Sequence, residues 1–184
     1  FYEQLADNAV KCEICPWNCA IKTGARGKCG VRQNIAGKLV TLVYSRPATI
    51  HIDPIEKKPF FHFYPGSEAL SLATAGCNVT CKFCQNWEIA QAKPEDIEGF
   101  YIPPDGIIRL AKRTGSKIIA ITYSEPTVDY EYMLDIARLA KKEGIKTTVV
   151  SNGFINPEPL KLLCKYVDAI KVDLKSFNEK YYRE

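Results

Sequence analysis

The run Gly76-Cys77-Asn78-Val79-Thr80-Cys81-Lys82-Phe83-Cys84-Gln85-Asn86 sets three thiols in a CxxxCxxC spacing. Three closely spaced thiolates can wrap one corner of a cubane iron–sulfur cluster, which takes four cysteines when fully ligated. This loop offers three, and no fourth cysteine lies near it in sequence. One iron would stay open, as a catalytic metal keeps a vacant position and a structural one does not. The competing reading is a structural zinc knuckle. That needs a fourth ligand, and neither His51 nor His62 is close in sequence. A second group, Cys12, Cys15, Cys19 and Cys29, has the spacing CxxC-x3-C-x9-C. Four thiolates suffice for tetrahedral zinc or a fully ligated [4Fe–4S] cluster, with disulfides and inert thiols as further readings. Gly24, Gly27 and Gly30 would let the backbone fold tightly around such an ion. Cys164, alone in Leu160-Lys161-Leu162-Leu163-Cys164, is expected to be a buried core cysteine on a helix, since free cysteines are commonly buried.

Composition narrows the setting. The chain has 184 residues, with 25 basic and 21 acidic groups and a net charge of +4. Hydrophobic residues make up 46% and charged ones 25%, which fits a globular protein and excludes overall disorder. No apolar stretch nears the roughly 18 residues of a membrane span. So mild a charge argues against a dedicated nucleic-acid binder. Eight cysteines in 184 residues is about 4%, below the roughly 8–10% of a disulfide scaffold. Residues 1–20 lack the layout of a signal peptide, so clustered cysteines point to metal rather than disulfides. Phe1 is not a start methionine, and residues 177–184 read as the opening of an unfinished helix, as in a piece of a longer chain.

The elements that must position these groups follow from patterning. Residues 1–66 read as a cysteine-rich metal-binding segment with short β-runs at Leu39–Tyr44 and Ala48–Ile52, and a hairpin turn at Asn34–Gly37. Residues 67–184 alternate strands with helices. Strands are expected at Leu70–Thr74, Lys117–Tyr123, Lys146–Ser151 and Asp168–Leu174; helices at Pro103–Thr114, Val128–Glu143 and Pro157–Tyr166. This is an α/β pattern with about four parallel strands and right-handed crossovers, an open sheet or part of a barrel. Ligands of such sheets bind beyond the carboxyl ends of the strands. Those ends are Gly76-Cys77, Ser124-Glu125, Asn152-Gly153 and Asp173–Lys175.

CxxxCxxC with Phe83 before the last cysteine, directly after the first strand of an α/β unit, resembles the radical S-adenosylmethionine (SAM) superfamily. The longer run through Trp87 is similar to the branch of glycyl-radical-enzyme activases. With Cys12-Glu13-Ile14-Cys15-Pro16, Gly27-Lys28-Cys29-Gly30-Val31-Arg32 and Ile52-Asp53-Pro54-Ile55-Glu56-Lys57-Lys58-Pro59, the chain most resembles the radical enzymes of the AmmeMemoRadiSam system. The resemblance implies a partial (β/α) radical-SAM barrel. It implies that Cys77, Cys81 and Cys84 bind three irons of a [4Fe–4S] cluster, that SAM chelates the fourth, and that Phe83 lies near the adenine. Reductive cleavage of SAM would give a 5′-deoxyadenosyl radical for hydrogen abstraction.

At the other strand ends the resemblance implies that Glu125 meets the methionyl ammonium, although Tyr123-Ser124 stand where the family often has two glycines. Ser151 and Asn152 are expected as polar contacts, with Gly153 at positive φ; Val150 replaces the acid often found there. Asp173 and Lys175, which share a side of their strand with Lys171, resemble an activase motif that meets the SAM carboxylate. Lys57 and Lys58 are expected to be solvated, and His51 and His62 structural. The implied partners are a protein substrate such as a glycyl-radical enzyme and an electron donor such as ferredoxin or flavodoxin, in the cytoplasm. Other readings are radical modification of RNA or a small molecule, and a metal-binding module or inactive remnant.

Overall fold

The computed structural model describes residues 1–183. Strands β1 (Tyr2–Gln4), β2 (Val10–Cys12) and β3 (Ala20–Ile21) form a small antiparallel sheet in that order. Strands β4 (Arg32–Ile35) and β5 (Lys38–Thr41) form the expected hairpin, turning through Ala36-Gly37. Both turn residues have positive φ, 50° and 84°, which suits glycine at the second position.

Strand β6 (Thr49–Pro54) pairs antiparallel with β7 (Glu68–Ala73). From β7 the chain passes through a short helix α1 (Trp87–Ala90), helix α2 (Pro104–Thr114), strand β8 (Ile118–Ile121), helix α3 (Tyr130–Lys142), strand β9 (Lys146–Ser151), helix α4 (Pro157–Leu163), strand β10 (Ala169–Val172) and helix α5 (Glu179–Arg183). Strands β7, β8, β9 and β10 are parallel, and the sheet order is β10-β9-β8-β7-β6. The structure thus adds an antiparallel fifth strand to the expected four. The helix read at 177–184 is present as α5, with Glu184 outside the described residues.

Local chemistry explains the boundaries. Pro104 opens α2, where a missing N–H costs nothing, and Gly115 at φ 70° closes it. Gly144 at φ 71° follows α3, and the Ile145 N–H returns to the Ala140 carbonyl at 2.9 Å. The apolar faces of both helices meet one face of the sheet. Ile107, Ala111, Ile136 and Ala140 are fully buried, as are Leu72 and Ile119 beneath them. Each leucine or isoleucine side chain among these contributes about 2 kcal/mol of burial, each alanine methyl under about 1 kcal/mol. The opposite face carries a smaller cluster of Ile55, Ala69, Ile118 and Ala120 under Phe60 and Phe63. Val10, Cys12 and Ile21 of the N-terminal sheet, with Ile14 from the loop between β2 and β3, belong to the same core as Leu70 and Leu72. The hairpin is fixed to α3 by Arg32, whose Nη1 and Nη2 donate to Glu131 at 3.0 and 2.6 Å.

Cys164 lies outside the core. Helix α4 is only seven residues long, its buried positions are Pro159 and Leu163, and Cys164 falls beyond its last turn and is exposed.

Candidate functional site

The loop after β7 is shaped by Gly76, which has φ 96°. A side chain there would meet Val31 Cγ1 at 2.5 Å and the Cys29 carbonyl at 3.0 Å, so only glycine fits. The loop then turns at Cys81, whose carbonyl accepts the Cys84 N–H at 3.2 Å. Cys77, Cys81 and Cys84 all line one cleft of about 850 Å³ at the carboxyl ends of the parallel strands. Burial pushes the Cys77 thiol up to about 12, with the Val79 N–H acting against that. A metal would have to displace its proton, as metal binding to cysteine does generally.

The same cleft receives Glu125 from the end of β8, Ser151 and Asn152 from β9, and Asp173 and Lys175 from beyond β10. These residues are brought together as the strand-end reading expects. The cleft holds no fourth cysteine; His51 lines it, with ring Nε2 2.7 Å from Thr49 Oγ1. Three thiols facing an open cleft match a cluster held at three corners. Among the described residues no three His, Cys, Asp or Glu groups are placed to hold a metal ion. Phe83 lies on the rim, 59% exposed, with its ring 5.9 Å from that of Tyr181 in a stacked arrangement.

Glu125 is 2% exposed and acts as a clamp. Its Oε1 accepts from the Thr127 N–H (3.0 Å) and Ser151 Oγ (2.7 Å), and Oε2 accepts from the Asn152 N–H (2.9 Å). The carboxylate therefore ties the end of β8 to the end of β9. Asn152 Nδ2 continues the network to Asn78 Oδ1 at 2.8 Å, and Asn78 Nδ2 to the Phe154 carbonyl at 2.9 Å. Gly153 has φ 76°, as expected. Asp173 is held by Lys175 Nζ at 2.7 Å and by Lys171. Burial opposes its charge, yet the two lysines keep its carboxyl below the ordinary range.

One wall of the cleft was missed by sequence reasoning. Thr49, His51, Lys57, Lys58 and Tyr123 line it. Lys58 is not solvated: it is 3% exposed, and its Nζ donates to Asp53 Oδ2 (2.6 Å) and the Tyr123 hydroxyl (2.9 Å). Tyr123 also donates to Asp53. Burial works against the Asp53 charge, but Lys57, Lys58 and Tyr123 hold its carboxyl well below the usual range. The signal available in the sequence was the same-side alternation of Thr49, His51 and Asp53 on a strand. Tyr123→Phe removes one partner from this triad while Lys58 keeps Asp53. We expect a loss of about 2 kcal/mol in urea unfolding, and no change would exclude the triad as a structural tie.

A second buried acid lies behind the cleft. Asp129 is 2% exposed, its Oδ1 has no hydrogen-bond partner, and burial pushes its carboxyl up to about 8. The folded state then holds a proton that the unfolded chain releases above about pH 4. Stability falls as pH rises from about 4 towards 8, by up to about 1.4 kcal/mol per pH unit. Asp129→Asn should remove that slope in thermal melts across the interval; an unchanged slope would acquit Asp129.

Comparison with known proteins agrees with this geometry. Residues 71–184 match the Radical SAM superfamily. An uncharacterized protein of Methanocaldococcus jannaschii is 46% identical over 184 residues, covering 100% of this chain and 54% of its own length. A putative glycyl-radical enzyme activating enzyme of the same organism is 27% identical over 64% of this chain and 48% of its own. The pyruvate formate-lyase 1-activating enzyme of Escherichia coli (strain K12) is 26% identical over 59% of this chain and 46% of its own. The chain spans about half the length of these relatives. A parallel sheet with a three-cysteine loop after its first parallel strand, matched across residues 71–184, places this chain in the radical SAM superfamily, with relatives among the activating enzymes.

Proposed function

We propose that this chain carries the cofactor-binding part of an activase-like radical SAM enzyme. The observation that carries the reading is one cleft in which Cys77, Cys81 and Cys84 face polar groups from three other strand ends. The three thiols hold three irons of a [4Fe–4S] cluster. When bound, cluster and SAM supply the electron and the bond that breaks to give a 5′-deoxyadenosyl radical.

The chain's own residues bind and orient. Glu125 fixes the Ser151–Gly153 turn, so that Ser151 and Asn152 present their polar groups to the nucleoside from a rigid backbone. Lys175, braced by Asp173, meets the SAM carboxylate. Phe83 covers the adenine side. The sheet and the Thr49–Lys58 wall limit access of water to the cleft.

Cys12, Cys15, Cys19 and Cys29 take a second metal, zinc or iron–sulfur. A glycyl-radical enzyme is the proposed protein substrate, in keeping with the relatives' names, and a ferredoxin or flavodoxin the electron donor. An oxygen-sensitive cluster fits a reducing cytoplasm. Among the described residues no helix is long and apolar enough to cross a membrane.

Anaerobic reconstitution with iron and sulfide, reduction, and addition of SAM tests the reading. SAM should change the electron paramagnetic resonance spectrum of the reduced cluster. An unchanged spectrum would mean that no open iron is available.

A further inference from the structure

One acid shared by two lysines occurs twice around the cleft, at opposite edges of the sheet. Strand β10 forms one edge, and just beyond it Asp173 is bonded by Lys171 and Lys175. Strand β6 forms the other edge, and its Asp53 is bonded by Lys57 at 2.7 Å and by Lys58 at 2.6 Å. In each place one carboxylate faces two ammonium groups, so a net positive charge remains. The Asp173 group is assigned above to the SAM carboxylate. The Asp53 group faces the same cleft and has no ligand assigned to it.

Its two lysines differ. Lys58 is 3% exposed and is spent on the protein: Nζ donates to Asp53 and to the Tyr123 hydroxyl, and lies 4.1 Å from the centre of the Tyr123 ring. Lys57 lines the cleft with its side chain 64% exposed, and Asp53 Oδ1 is its one acceptor among the described residues. An ammonium carries three N–H donors, so two remain for a ligand. His51 adds a further polar group, because it shares a face of β6 with Asp53 and also lines the cleft. Its Nε2 is taken by Thr49 Oγ1, and its Nδ1 has no partner among the described residues.

The mounting is rigid. Ile55 is fully buried, its N–H donates to the Ser67 carbonyl at 2.9 Å, and its carbonyl accepts the Lys58 N–H at 2.9 Å. Glu56 Oε1 accepts the Gly66 N–H at 2.6 Å. A donor held in place by its neighbours gives up little freedom when a ligand arrives. The other acids lining the cleft do not quench it. Glu125 and Asp173 are bonded as described, and Glu88, on α1, forms no ion pair with Lys57, whose bridge is to Asp53.

We infer that Lys57 and His51 form an oxyanion-binding subsite for the substrate on the β6 side of the cleft, so that the substrate brings a carboxylate or phosphate group to it. Calling the ligand a substrate rests on the function proposed above; the binding of the anion does not. A carboxylate is what an acidic side chain of a protein substrate offers, and a phosphate is what a phosphorylated small molecule offers.

The test titrates the chain, without cluster or SAM, with inorganic phosphate and separately with acetate at constant ionic strength. The ring resonances of its two histidines are followed by nuclear magnetic resonance. His51 should shift and saturate, while His62, which does not line the cleft, should not. The anion that saturates at lower concentration names the group. Lys57→Ala leaves the buried Lys58–Asp53 pair in place and should weaken binding at least about tenfold; Lys57→Arg should restore most of it. Lys161→Ala, 70% exposed on α4, should leave it unchanged. A His51 that follows neither anion, or that drifts in step with His62, overturns the inference, as does equal affinity in Lys57→Ala. In the reconstituted protein, SAM and the anion should bind together, whereas displacement of one by the other would put the anion at the SAM carboxylate position and overturn a separate subsite. A reconstituted protein that binds no SAM while His51 still saturates would defeat the cofactor reading and leave an anion site, so the two fail separately.

Discussion

If the proposed function holds, Cys81→Ala should abolish formation of 5′-deoxyadenosine by the reconstituted, reduced protein. On the proposed reading the three thiols hold the cluster at the cleft, and none is redundant, because no other cysteine lines that volume. With one removed, two irons instead of one lack a protein ligand, and the cubane cannot keep a single vacant corner for the methionyl group. The expected loss is complete, while stability should stay within about 0.5 kcal/mol of the unaltered chain. The reason is local. Cys81 belongs to no hydrophobic cluster, and its loop is held by the backbone bond between Cys84 N–H and the Cys81 carbonyl, which alanine preserves. Chromatography of the quenched reaction checks the first part and a thermal melt the second. Product at normal yield would show that Cys81 is not a ligand. Cys164→Ala is the fitting control, since Cys164 is exposed and far from both cysteine groups in sequence.

What the sequence disclosed, and what it withheld, divides along a physical line. Local patterns were readable. The alternation after residue 103, the proline at the start of α2 and the glycines ending α2 and α3 are short-range signals, and each strand from β7 to β10 lies within its expected span to a residue or two. The CxxxCxxC spacing is equally local. Properties set by partners far along the chain were not readable. Lys58 looked solvated because a Lys-Lys doublet usually is; its burial depends on Asp53 and on Tyr123, 65 residues away. The run at 48–52 was visible as β-structure. Its antiparallel docking on β7 depends on the intervening turn and on the pairing of Thr49 with Ala73. Cys164 failed for the opposite reason, since a short apolar run says little about which side of a seven-residue helix meets the core.

Glu125 shows the same division within one residue, and it carries the other large effect. Its position after β8 was legible, but its partners were not: Ser151 and Asn152, read as separate contacts to a ligand, are the groups it binds. Glu125→Ala strips the acceptor from two backbone N–H groups and one hydroxyl at a site 2% exposed. Hydrogen bonds to a charged group contribute about 1.5–3 kcal/mol each. Water entering from the cleft would recover part of that, leaving a loss of about 4 kcal/mol and a melting temperature lower by roughly 10 °C. Glu125→Gln keeps the shape but turns an amide donor toward one of the three donors, so it should lose about half as much. Binding should weaken with it. Once the β8 and β9 ends are untied, the Ser151–Gly153 turn no longer holds its conformation, and SAM affinity in the reconstituted protein should drop at least about tenfold, or 1.4 kcal/mol. Calorimetric titration with SAM and differential scanning calorimetry read the two effects separately. Weakened binding with unchanged melting would make Glu125 a direct ligand contact and not the clamp between two strand ends. Unchanged binding with lowered melting would confine it to the scaffold.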